Sequence, residues 1–183
     1  DFGTIDLGAA FPTEDSAEQV SRYMSATKGG KPVDLCILSE GFTADQLPQF
    51  NTLAQSAADF LFATEPFKTY KDYFNVYLMS VPSEESGASV TDGAGNVTTA
   101  RDTPFGARWG DGSYSDMDAN STAVYGYVAG HCPDILAGTH TIQEVPILLI
   151  VNDSRYGGIC HSSSDGSCYC LVPYSYSGDP IYW

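Results

Sequence analysis

Residues Val33-Asp34-Leu35-Cys36-Ile37-Leu38 form an apolar, β-branched run, which predicts a buried strand. The period then changes. Leu47, Phe50, Leu53, Ala57, Phe60 and Leu61 recur at helical spacing, so a helix is predicted up to about Thr64, just before Glu65-Pro66. Thr43 and Gln46 fit a capping box at its start, with Phe42 and Leu47 as the hydrophobic staple around it. Pro48 is awkward there and can shift the start by a turn. Residues 73–81, aromatic and alternating, predict a second strand. Asn120 or Ser121 can cap a second helix running to about Gly130, with Val124 and Val128 on one face and Pro133 closing it. Residues 145–151 are nearly all apolar, as a central strand covered on both faces should be, and 168–174 predict a fourth strand.

The remaining stretches carry less pattern. Residues 1–30 have no clear period beyond a short amphipathic piece at 14–27, which places Val20 and Tyr23–Met24 on one face before Gly29-Gly30 breaks it. This reads as an N-terminal arm or the end of a preceding domain, with 31–183 as one further domain. Residues 83–121 are long, polar and rich in turn residues. Phe105 and Trp109 would be wasted in a disordered tail, so the stretch is expected to be an elaborate loop. The order strand, helix, strand, loop, helix, strand, strand predicts an α/β domain with a mixed, mostly parallel sheet flanked by helices.

Charge narrows the function classes. Eight Lys and Arg stand against 23 Asp and Glu, a net charge of −15. That disfavours nucleic acid and anionic membrane surfaces, both of which need clustered cations. No run approaches the roughly 18 apolar residues of a membrane span. Rare lysine with abundant Tyr, Ser, Thr, Asn and Gly has the look of an exported protein, secreted, periplasmic or held at the cell surface. No signal peptide opens the sequence at Asp1.

His131, His140 and His161 show no H-E-x-x-H and no i, i+4 pair, and the cysteines form no paired C-x-x-C units, so no zinc site is recognisable and tight zinc binding is not expected. Ser39 sits where a strand turns into a helix, but the run Ile37-Leu38-Ser39-Glu40-Gly41 lacks the first glycine of a nucleophile elbow. A serine hydrolase built on Ser39 is a minor alternative. Cys160 and His161 are strand neighbours on opposite faces and make no dyad; Cys160 and Cys168 either bridge a hairpin or stay free thiols. Asp92 and Asn96, in a tight glycine-rich turn, are candidate calcium ligands, although the spacing is not that of an EF-hand. The aromatic run 105–114 and tyrosines 174, 176 and 182 keep open a non-catalytic glycan- or protein-binding module.

Four segments together carry a family resemblance. They are Val33-Asp34-Leu35-Cys36-Ile37-Leu38-Ser39-Glu40-Gly41-Phe42-Thr43; Asn75-Val76-Tyr77 leading to Ser80-Val81-Pro82-Ser83-Glu84-Glu85-Ser86-Gly87; Asp102-Thr103-Pro104-Phe105-Gly106-Ala107; and Val145-Pro146-Ile147-Leu148-Leu149-Ile150-Val151-Asn152-Asp153-Ser154-Arg155-Tyr156-Gly157-Gly158. In this order they resemble the first half of the catalytic domain of the IgA-peptidase family of secreted bacterial zinc metallopeptidases, over roughly 30–180. The resemblance implies a zincin-like sheet, incomplete at the C-terminus of this chain, and hydrolysis of protein or peptide substrates by a zinc-activated water. In that family the H-E-x-x-H lies beyond a strand like 168–174. It does not occur here, so no catalytic or metal residue is carried over and the chain alone is expected to be inactive. The resemblance also implies a substrate-binding edge strand, for which Tyr169, Leu171 and Val172 are the candidates. Asn152, Arg155, Tyr156, Gly157 and Gly158 are candidates for a loop of the same cleft, where Arg155 can pair with a carboxylate. A sheet face left without its helix needs cover, from a C-terminal half or by self-association.

Overall fold

The computed structural model describes residues 19–92, 94–110, 117–155 and 157–174. Within them the chain runs β1 (Gln19–Met24), β2 (Val33–Glu40), α1 (Leu47–Ala63), α2 (Phe67–Tyr70), β3 (Phe74–Ser80), β4 (Ser89–Thr91), β5 (Val97–Thr99), β6 (Arg108–Trp109), β7 (Met117–Asp118), α3 (Ser121–His131), α4 (Pro133–Leu136), β8 (Ile147–Val151), β9 (Ile159–Ser162) and β10 (Cys168–Pro173). The main sheet has the order β1-β3-β2-β8-β10-β9. Its four inner strands are parallel, and both edge strands run antiparallel to their neighbours. This is the mixed, mostly parallel α/β sheet the pattern predicts.

Alternation along β2 divides the core in two. Leu35 and Ile37 face α1 together with Val76, Leu78 and Ile150. Cys36 and Leu38 face the other way, with Tyr77, Met79, Leu149 and Leu171, under α3. Because both faces are covered, β2 is buried from Asp34 to Glu40, and its sequence is correspondingly apolar without a visible period. The capping box at Thr43 and Gln46 is present on a 3-10 turn at Ala44–Gln46. Pro48 then falls in the first turn of α1, where its missing N–H costs nothing.

Several expectations change. Part of 83–121 is not a plain loop: β5-β4-β6-β7 form a second small sheet, which buries Phe105, Trp109 and Met117 against α3. Strands of two or three residues are too short to show a period. Gln19–Met24 pairs antiparallel with β3 and so belongs to this sheet. An irregularity between Arg22 and Met24 lets the successive residues Tyr23 and Met24 both pack on the α1 side, while Val20 is exposed. Residues 1–18 of the expected arm lie outside the described residues. In α1, Leu47, Phe50 and Ala57 of the expected stripe are buried, but Phe60 is exposed and Phe62 is buried instead. The hairpin disulfide joins Cys160 to Cys170, not to Cys168. The register places Cys170 opposite Cys160 and Cys168 opposite Ser162, and Cys168 remains an exposed thiol.

Candidate functional site

Ligands of α/β sheets gather where parallel strands end, and here three strands deliver their last residues to one place. Glu40 ends β2 fully buried. Its carboxylate accepts hydrogen bonds from Thr103 Oγ1 at 2.5 Å, Ala107 N at 2.7 Å and Phe105 N at 3.1 Å. Burial pushes the Glu40 carboxyl up from its ordinary value, while these three donors pull it back. Glu40 thus anchors the segment leading into β6. Ser39 is equally buried; its hydroxyl donates to Val81 O at 2.8 Å and accepts from Val81 N at 2.7 Å. That hydroxyl clasps the end of β3 and is no exposed nucleophile, which removes the serine hydrolase alternative.

The loops above these ends are knitted through backbone. Gly41 adopts φ +73°, and Gly87 N donates to Gly41 O at 2.9 Å. A Cβ on Gly41 would lie 2.4 Å from Gly87 O, so only glycine fits. Asn152, of the expected cleft loop, occupies the same rim: its Nδ2 lies 3.0 Å from Gly41 O, Gln46 Oε1 and Ser86 Oγ. Arg155 lies with its guanidinium 5.5 Å from the Trp109 ring centroid, packed on an aromatic face. Gly158 approaches β10, where a Cβ would meet Leu171 O at 3.4 Å. Tyr156 lies outside the described residues.

The expected edge strand needs correction. β10 is paired on both sides, with β8 through Tyr169–Pro173 and with β9 through Cys168–Leu171. Among the described residues, the edge strand on this side of the sheet is therefore β9. Tyr169 is buried, its hydroxyl donating to Ala119 O at 3.2 Å and its ring stacked on His161. Burial and the nearby Asp118 and Tyr125 push that phenol up to about 12. Leu171 and Val172 instead border an apolar groove of about 560 Å³ between α1 and the β9–β10 hairpin, also lined by Ile37, Leu61, Leu148 and Ile159.

Two other candidates are reassigned by their contacts. Asp92 Oδ1 accepts from Ala94 N and Asn96 N, and Asn96 Nδ2 reaches both carboxylate oxygens. These donors, Asn96 first, hold the carboxyl below its usual range, and the turn needs no calcium to close. Phe105 and Trp109 are core residues, so neither offers a stacking surface for sugars. Residues 114, 176 and 182 lie outside the described residues, while Tyr174 is half-buried beside the α1 core.

At the opposite end of the strands the structure gathers a polar cluster that spacing did not reveal. Asp34 and His140 are buried, and Asp134 joins them from α4. Asn75 Nδ2 donates to Asp34 Oδ1 at 2.8 Å, and Tyr77 OH donates to Asp134 Oδ2 at 2.7 Å. Burial pushes Asp34 up. At Asp134 burial acts the same way but is outweighed by Tyr77, Asp34 and Arg22, which hold that carboxyl below its ordinary value. Cys36 and Cys132, both buried, share a hydrogen bond that draws Cys132 down to about 7 and, with burial, pushes Cys36 up.

A family model described as IgA peptidase M64 matches residues 23–174. The chain belongs to the IgA peptidase M64 family. A comparison with curated proteins finds no match. Membership of IgA peptidase M64 implies a metallopeptidase domain with protein as its substrate. The residues present hold no H-E-x-x-H for the catalytic zinc of a metallopeptidase, and the three histidines lie apart in other roles. His131 closes α3 and stacks on Tyr127, His140 sits behind Pro32, and His161 on β9 meets Met117 O. No helix of the described residues is long and apolar enough to cross a membrane.

Proposed function

We propose that this chain is the supporting half of a secreted zinc metalloendopeptidase domain that cleaves protein substrates. The match to IgA peptidase M64 over 23–174 carries this reading. The Cys160–Cys170 disulfide supports export, since such bonds persist in oxidising compartments. In this reading β9 is the open edge on which an extended peptide pairs, and the Asn152–Gly158 loop forms the adjoining rim of the cleft. The apolar groove beside α1 seats a helix bearing the zinc motif, supplied by further chain; without it, self-association covers the groove. Residues 1–183 supply no H-E-x-x-H and are inactive alone.

The test joins an intact mass of the native polypeptide to a peptide-cleavage assay. The expected result is a mass well above 19.6 kDa, an H-E-x-x-H shortly after Trp183, and chelator-sensitive cleavage that residues 1–183 alone do not show. A native mass of 19.6 kDa, or chelator-sensitive cleavage by residues 1–183, overturns the proposal.

A further inference from the structure

We propose that Asp34, Asp134 and His140 form a structural site for a zinc-class divalent cation at the amino ends of β2 and β3. One ligand atom from each of the three residues lies within 4.8 Å of the other two. His140 Nδ1 is 3.8 Å from Asp34 Oδ2. A tetrahedral zinc with bonds of about 2.0 Å to nitrogen and oxygen sets its ligand atoms roughly 3.3 Å apart, so the His140–Asp34 gap would close by about 0.5 Å and a pair at the outer limit by up to about 1.5 Å.

The donors are already oriented from behind, as metal ligands are. Asn75 holds Asp34 and Tyr77 holds Asp134. His140 Nε2 lies 2.8 Å from Pro32 O, an acceptor only, so that nitrogen carries the proton and Nδ1 keeps its lone pair in the neutral ring. The other neighbour of Nδ1 is Thr139 Oγ1 at 3.1 Å. The Thr139 hydroxyl has one proton and places it on Asp134 O at 2.8 Å. In the neutral ring a buried imidazole nitrogen therefore faces, at 3.8 Å, a buried carboxylate oxygen that the Cys132 thiol also approaches. Two acceptors facing each other in a dry site need a proton or a cation between them, and a divalent cation would serve both carboxylates at once. Arg22, 3.9 Å from Asp134 Oδ2, offsets one of the two carboxylates from the solvent side. Imidazole with two carboxylates suits zinc, cobalt or iron(II) rather than calcium. The cation would tie β2 to the segment after α3, across about a hundred residues of chain.

The test uses the purified chain stripped with a chelator and then titrated with cobalt(II). Visible d–d absorption of tetrahedral cobalt should saturate at one equivalent, and zinc should displace it. Zinc should also raise the unfolding midpoint of the stripped protein. Asp134→Asn keeps an acceptor for Tyr77 and should lose most of that rise; His140→Ala should lose the cobalt absorption. Absence of saturable cobalt absorption together with no zinc-dependent shift in midpoint overturns the site. Full cobalt absorption in both variants overturns it equally.

Discussion

At the residue scale, two glycines with positive φ separate conformational strain from contact. Gly41 has φ +73° and no room for a Cβ beside Gly87 O, whereas Gly95 has φ +82° and open space around it. Gly95→Ala should cost only the left-handed penalty, about 1–2 kcal/mol. Gly41→Ala adds a backbone clash in the loop that Asn152 also holds, and should cost at least ~3 kcal/mol, toward the upper range for single substitutions. Urea unfolding of the two variants checks this; equal losses would show that the Gly41–Gly87 approach carries no energy of its own. The glycine pattern in sequence shows that turns are needed, but not which one lies against another strand's loop.

At the element scale, the turn before β8 is held by charge. Glu144 in the Ile142–Glu144 turn caps Thr141 N at 2.9 Å and meets Lys31 Nζ at 2.5 Å. Lys31 first, then Thr141, draw its carboxyl down to about 2. The unfolded value is about 4.3, so the folded state favours the ionised form. This contribution is complete above the unfolded value and disappears as pH falls through about 2. The stability gap between wild type and Glu144→Gln should therefore be constant near neutrality and shrink as pH falls from about 4 to about 2. Unfolding midpoints across that range check it; a gap that widens on acidification contradicts the capping role. Because the pair is exposed, raising ionic strength should narrow the gap as well.

For the whole molecule, coverage of the sheet is uneven. The α3 face is closed by helix and small sheet together, while on the α1 face the half over β8 and β10 opens into the apolar groove. Phe60, 47% exposed, stands at its wall. The isolated chain should therefore bind an apolar fluorescent dye or self-associate, and Phe60→Ser should weaken either response with little change in stability. No dye binding and a monomer at high concentration would mean that the groove is closed in solution. The net charge of −15 opposes self-association at low salt, so association should increase as salt is added.

Sequence alone determined the elements whose pattern is longer than a turn. β2 announces itself as an apolar run because a strand covered on both faces has no polar side to show, and β3, β8 and β10 are legible from their apolar and aromatic content. The start of α1 is written in Thr43, Gln46 and Pro48, since capping is local chemistry. The four family segments were legible for the same reason: they lie on these strands and the loops just after them. What tertiary structure decided is everything that depends on partners distant in the chain. Strand order is one case, and it places β9 rather than β10 at that edge of the sheet. Pairing register is another, and it set Cys170 rather than Cys168 opposite Cys160. The roles of Ser39 and Glu40 depended on burial against 81 and 103–107, which a strand-end motif does not disclose. The Asp34, Asp134 and His140 cluster had no signal in spacing, because folding alone brings β2 and the α4 region together. Local free-energy minima are encoded by neighbours in sequence; sites are made by residues that meet only when the sheet assembles.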